Sequence, residues 1–114
     1  FYPSQNRELQ NQMATEHLVV SEYPLGTGPQ KLHFPMRNRI IAGMSQGVLV
    51  IEAKERSGSL ITANLALQEN REVFAVPGNI LNPAFKGTNQ LIQAGAKAVL
   101  CYPDIALEMD KIWK

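Results

Sequence analysis

The sequence holds one cysteine, Cys101, so no disulfide can close within the chain and no cysteine-based zinc site can form. A reducing compartment is the simplest expectation, and the chain reads as cytoplasmic. No apolar run approaches the roughly 20 residues of a membrane span, so no membrane is expected as a partner. No signal peptide opens the chain, and its start at Phe1 rather than Met leads to the expectation that upstream sequence is missing. Paired-histidine metal motifs, a G-x-G-x-x-G loop and a Walker A loop are also absent, and Gly26-Thr27-Gly28 is a weak substitute. His17 and His33 have no sequence-local partner that suggests a proton relay. No catalytic residue, metal or cofactor is therefore expected.

Charged residues make up 18% of the chain and nearly cancel to +1, which excludes a polybasic protein but leaves room for a local basic face. At 45% hydrophobic over 114 residues, the chain can bury one core and is too short for two ordinary domains. Residues 1–114 are read as a single domain. Its charge is uneven. Residues 31–56 carry Lys31, Arg37, Arg39, Lys54 and Arg56 against Glu52 and Glu55, while the segments on either side are acidic or balanced.

Four continuous apolar runs recur: Leu18–Val20, Val48–Ile51, Val73–Val76 and Ala98–Leu100. Continuous β-branched runs are how strands buried on both faces of a parallel sheet read. Between them lie helical patterns at Arg39–Met44 after Pro35, at Ser59–Glu69, at Thr88–Ala94 behind a Thr cap, and at Ile105, Met109 and Ile112 behind Pro103 and the possible cap Asp104. Asn6–Met13 is a weaker first helix. The order αβαβαβαβα predicts an α/β fold, a parallel sheet flanked by helices through right-handed crossovers. Loops at 23–35 and 77–87 follow strand ends, where open α/β sheets bind ligands.

Two patterns bear on chemistry. Arg56-Ser57-Gly58-Ser59 opens a helix after a strand, and its free N–H groups and hydroxyls suit an anion; the alternative is that Ser57 or Ser59 only caps the helix. Gly87-Thr88-Asn89 poses the same choice, with capping favoured. Lys31-Leu32-His33-Phe34-Pro35-Met36-Arg37-Asn38-Arg39 mixes cations, an aromatic ring and a forked amide, as single-stranded nucleic acid requires. Phe34 either stacks on a base or packs into the core. Arg37 and Arg39 either meet phosphate or fork to carboxylates such as Glu22 or Glu52. Cys101, at the end of an apolar strand, is expected to be a buried, inert thiol.

Taken together, Phe34-Pro35-Met36-Arg37-Asn38-Arg39-Ile40-Ile41-Ala42-Gly43, Ser57-Gly58-Ser59-Leu60-Ile61-Thr62-Ala63, Ala75-Val76-Pro77-Gly78-Asn79 and Gly87-Thr88-Asn89-Gln90-Leu91-Ile92 resemble the DNA-processing protein A (DprA/Smf) family, as do Tyr2-Pro3 and Ser21-Glu22-Tyr23-Pro24. That resemblance implies the C-terminal part of a larger, extended Rossmann-like domain. It implies a protein that binds single-stranded DNA without marked sequence preference, protects incoming DNA in natural transformation and helps load RecA recombinase. It also implies a homodimer, and no enzyme activity. It places Lys31 on phosphate and Phe34 near the bases; with the patterns above, the residues expected at DNA are Lys31, Phe34, Arg37, Asn38, Arg39, Ser57, Gly58, Ser59, Thr62, Gly87, Thr88 and Asn89. A dimer through the C-terminal half would use Leu107, Met109 and Ile112. The alternative is a nucleotide-binding or nucleotide-cleaving Rossmann-like enzyme, although Pro77-Gly78-Asn79 lacks the second glycine of a P-G-G-x-G-T-x-x-E loop.

Overall fold

In a computed structural model, residues 3–113 are described, with side chains through Lys111; Phe1, Tyr2 and Lys114, and the side chains of Ile112 and Trp113, lie outside the described residues. The chain divides into two compact units, residues 1–31 and 32–114.

The first unit holds a short 3-10 turn, Ser4–Asn6, and helix α1, Arg7–Glu16, on which no residue is buried. After it the chain turns at Pro24, whose carbonyl accepts from the Thr27 amide and hydroxyl. The strand expected at Leu18–Val20 does not form. These residues have no regular structure and are exposed. A β-branched run has the propensity for a strand but no ladder without a neighbour, and the described residues of this unit contain no other strand.

The second unit runs α2 (His33–Met44), β1 (Gly47–Val50), α3 (Gly58–Gln68), β2 (Glu72–Ala75), a 3-10 turn at Pro83–Phe85, α4 (Lys86–Gln93), β3 (Lys97–Ala98) and α5 (Tyr102–Trp113). The three strands are parallel in the order β1-β2-β3, with Val48 opposite Val73 and Ala75 opposite Ala98. This is the α/β fold, a parallel sheet flanked by helices, that the alternating pattern demanded. Buried Val50, Val73 and Ala75 centre the core on one face of the sheet, and Phe74, fully buried, lies toward Gly47 on the other. Ala42 of α2 and Ala63 and Ala66 of α3 are wholly buried, and their small side chains let the helices pack closely against each other and the sheet.

Helix starts move from where the pattern put them. Helix α2 begins at His33, before Pro35, because a proline in the first turn lacks only an N–H that would have no helical partner anyway. Helix α5 begins at Tyr102, so Asp104 lies inside its first turn. There Asp104 Oδ2 reaches back to accept from the Leu100 and Cys101 amides at 2.8 and 3.3 Å. Strand β3 is only two residues long, which leaves Cys101 beyond the sheet and exposed, contrary to the expected buried thiol. Ile105 and Met109 are half-buried, and Met109 Sδ lies against Gly47, so that stripe covers the sheet. Leu107, off the stripe, is 63% exposed. No helix among the described residues is long and apolar enough to cross a membrane.

Candidate functional site

Parallel neighbours β1 and β2 point the same way, so the loops that leave them emerge at one edge of the sheet. The two loops are stitched together. Ala53 N–H donates to Ala84 O at 3.0 Å, and Gly87 N–H donates to Ala53 O at 2.8 Å. Gly87 is required here, because a Cβ would lie 2.7 and 2.8 Å from the Ala53 and Lys54 carbonyl oxygens.

The first loop leads through exposed Lys54 and Arg56 to Ser57, the N-cap of α3. Ser57 has the extended backbone of a capping residue, yet its hydroxyl makes no cap bond. Its Oγ is buried and has no hydrogen-bond partner. Beside it, exposed Gly58 and Ser59 begin the helix, where first-turn N–H groups lack helical partners and the helix dipole favours an anion. Simple capping by Ser57, the alternative weighed from sequence, is therefore not what this side chain does. Ser59 and half-buried Thr62 line an open groove of about 520 Å³ along the free edge of β1, together with Leu49, Ile51 and Glu52. Glu52 puts a carboxylate in that groove, so a phosphate is better received at the Ser57–Gly58 end.

The second cluster stands on the first turns of α2. Phe34 is 44% exposed, so it is not a core residue. Arg37, one turn on, sets its guanidinium 5.9 Å from the Phe34 ring centroid, within cation–π range. Arg37 Nε also donates to Asn38 Oδ1 at 3.1 Å. This bond takes Arg37 to a neighbouring amide rather than to the carboxylate fork considered from sequence. Asn38 itself is buried, and its reach is spent on orienting Arg37. Arg39 is exposed on the same helix. Lys31, in the first unit, is exposed.

Three sequence candidates, Gly87, Thr88 and Asn89, also have partners within the chain. Thr88 is wholly buried inside α4, and its hydroxyl donates to Phe85 O at 3.1 Å instead of capping the helix. Gly87 is buried under the β1 loop. Asn89 Oδ1 accepts from Gly78 N–H and its Nδ2 donates to Gly78 O, at 3.2 and 3.1 Å. A clamp of this kind imitates a backbone pair and holds the loop after β2. Helix α4 starts two residues earlier than the pattern suggested, which sets Gly87 against the β1 loop, Thr88 on Phe85 and Asn89 on Gly78. Sequence reading missed Arg71, whose Nη2 donates to Gly43 O at 2.7 Å and closes the end of α2. It also missed Phe85, whose ring lies against Gly78 and leaves no space for a Cβ.

At the C-terminal end, Glu108 Oε1 accepts from Lys97 Nζ at 2.8 Å and from Lys111 Nζ at 3.2 Å. These bonds, Lys97's first, hold the Glu108 carboxyl below the usual carboxylate range. The Leu100 amide, then the Cys101 amide, lower that of Asp104.

Comparison with known proteins assigns this architecture. The family model for DNA recombination-mediator protein A matches residues 1–110. The DNA processing protein DprA of Bacillus subtilis (strain 168) is 55% identical over 108 residues, covering 95% of this chain and 36% of that protein. The solved DNA processing protein A from Streptococcus pneumoniae superposes with a TM-score of 0.90 at 54% identity, over 95% of this chain and 38% of that one. The Helicobacter pylori protein, whose structure concerns its single-stranded DNA binding mode, superposes with a TM-score of 0.84 at 30% identity, over 97% of this chain and 51% of that one. The chain thus spans little more than a third of the Bacillus and Streptococcus relatives. With its Rossmann-like parallel sheet and near-complete match, this chain belongs to the DNA recombination-mediator protein A (DprA/Smf) family.

Proposed function

We propose that this chain binds single-stranded DNA without marked sequence preference, and that in the longer protein it protects incoming strands in natural transformation and helps load RecA recombinase. The observation that carries the reading is the half-exposed Phe34 ring beneath the Arg37 guanidinium. A partly exposed aromatic ring beside a cation is what a sequence-tolerant base contact needs. Lys31 and Arg39 add charge for phosphates, and the Ser57-Gly58-Ser59 turn adds N–H and hydroxyl donors. The Helicobacter relative's single-stranded DNA binding supports the same ligand. A homodimer would place exposed Leu107 in its interface, with Met109 behind it and Ile112, whose side chain lies outside the described residues, farther along α5.

Catalysis forms no part of this reading. The Pro77-Gly78-Asn79 turn lacks the second glycine of a nucleotide-cleaving loop, and Asn89 bonds both backbone groups of Gly78, which supports a non-catalytic reading. The test is a salt titration of binding to single-stranded oligonucleotides. Lys31→Ala should weaken binding to all sequences alike and reduce the log–log salt slope by about 0.7, the loss of one phosphate contact. Phe34→Ala should cost about 1–3 kcal/mol of affinity, with the Tm nearly intact. Unchanged affinity in both variants, or a large fall in Tm for Phe34→Ala with binding retained, would sink the reading.

A further inference from the structure

Lys86, Lys97 and Lys111 are each paired with a carboxylate, the first with Glu55 at 3.1 Å and the other two with Glu108. Arg37 is held differently. Its Nε donates at 3.1 Å to Oδ1 of Asn38, a neutral amide, and its guanidinium lies 5.9 Å from the Phe34 ring centroid. Helix α2, which carries all three residues, contains no Asp or Glu. Consecutive residues do not face each other on a helix, whereas residues three apart do. The Arg37 side chain therefore lies back over Phe34 and is drawn sideways to Asn38. It is fixed at two points, although Arg37 is an exposed residue. Asn38 can serve as one of those points because it is only 8% exposed, and packing locks its own side chain.

The chemistry of the holding group matters. A carboxylate in place of the Asn38 amide would hold Nε as well, and would offset the guanidinium charge. An amide oxygen fixes the group and leaves that charge whole. With Nε engaged, the two terminal nitrogens remain as a planar fork of the kind that bonds a phosphate through two parallel hydrogen bonds. Arg37 forms no ion pair among the described residues, so the fork is open to an anion from outside the chain. A long side chain that is ordered beforehand has little rotamer freedom left to lose on binding.

We infer that Asn38 is a positioning residue for DNA binding: it touches no DNA, and its buried amide holds Arg37 so that the charged fork meets a strand phosphate already oriented. This inference rests on the single-stranded DNA reading above. It is tested by salt titrations of oligo-dT binding to the wild type, Asn38→Leu, Arg37→Ala and the double variant. Arg37→Ala should lower the log–log salt slope by about 0.7, one phosphate contact. Asn38→Leu, which keeps the buried volume and removes the acceptor, should weaken binding roughly three- to ten-fold, the effect of ordering one long side chain. The double variant should bind as Arg37→Ala alone does, because Asn38 acts through Arg37. Losses that multiply in the double variant would give Asn38 a separate role and overturn the inference. Arg37→Ala with wild-type affinity and slope would overturn it too, while the DNA reading stands on Lys31 and Phe34. Wild-type protein that does not bind oligo-dT would overturn both. Arg37→Lys tests the same bond without disturbing the buried site, so it decides the matter even where Asn38→Leu does not fold. It keeps the charge and lacks the Nε–H that Asn38 holds, and should lose the same three- to ten-fold with its slope unchanged. Arg37→Lys that binds as the wild type does would show that charge alone suffices, and would overturn the inference.

Discussion

The same substitution should have opposite signs at Gly87 and Gly43. At Gly87 an added Cβ meets the Ala53 and Lys54 carbonyls at 2.7 and 2.8 Å and Leu60 Cδ1 at 3.0 Å. Two of these are backbone atoms, so the α4 start and the β1 loop must move apart. Overpacking of this kind costs about 1–3 kcal/mol. The shift also strains the Gly87 N–H bond to Ala53 O, whose loss is worth about 0.5–1.5 kcal/mol. Alanine's better helix propensity offsets less than about 1 kcal/mol, because the site is at the helix start. The net expectation for Gly87→Ala is a destabilisation of about 1–3 kcal/mol, a Tm lower by roughly 4–12 °C. At Gly43, near the end of α2, a Cβ meets nothing within 4 Å, and Gly43→Ala should stabilise by up to about 1 kcal/mol. Urea and thermal unfolding of both variants provide the assay. A Gly87→Ala protein as stable as the wild type would refute the close approach.

Two further expectations concern the C-terminal helix. Leu107→Arg should leave the circular dichroism spectrum unchanged, since Leu107 is exposed within the chain, and should shift the longer protein toward monomer by about 2–5 kcal/mol if that face is the dimer contact; an unchanged mass by light scattering would place the interface elsewhere. Asp104 and Glu108 have carboxyls held below their usual range, so their contribution to stability is present at neutral pH and lost as pH falls through the folded-state values; Asp104→Ala should lower the Tm at pH 7 and flatten its fall in acid, and parallel acid limbs for variant and wild type would refute that role.

Much of this protein is local and could be read from order and period. The runs at Val48–Ile51 and Val73–Val76 are strands because continuous β-branched residues suit a sheet covered on both faces, and each structural strand lies within one residue of its run. The helix over Ser59–Glu69 is displaced by one residue. Linked motifs from Phe34 to Ile92 were enough to point to the family. The helix start at Ser57-Gly58-Ser59 was legible too, because a Ser-Gly-Ser turn after a strand suits the first turn of a helix.

Which side of an element faces water was not legible, because it depends on neighbours distant in sequence. Phe34 could equally have been core, and the packing of Ala42 against α3 turns it outward instead. Gly87, Thr88 and Asn89 read as a turn before a helix, and their bonds to Ala53, Phe85 and Gly78 run to partners that local pattern does not reveal. Leu18–Val20 has strand propensity and no ladder, since a strand exists only where another offers hydrogen bonds. The exposure of Cys101 follows from a third strand cut to two residues. Propensity and periodicity are properties of a segment and so are written in the sequence; burial and partnership are properties of pairs, and only the tertiary structure forms the pairs.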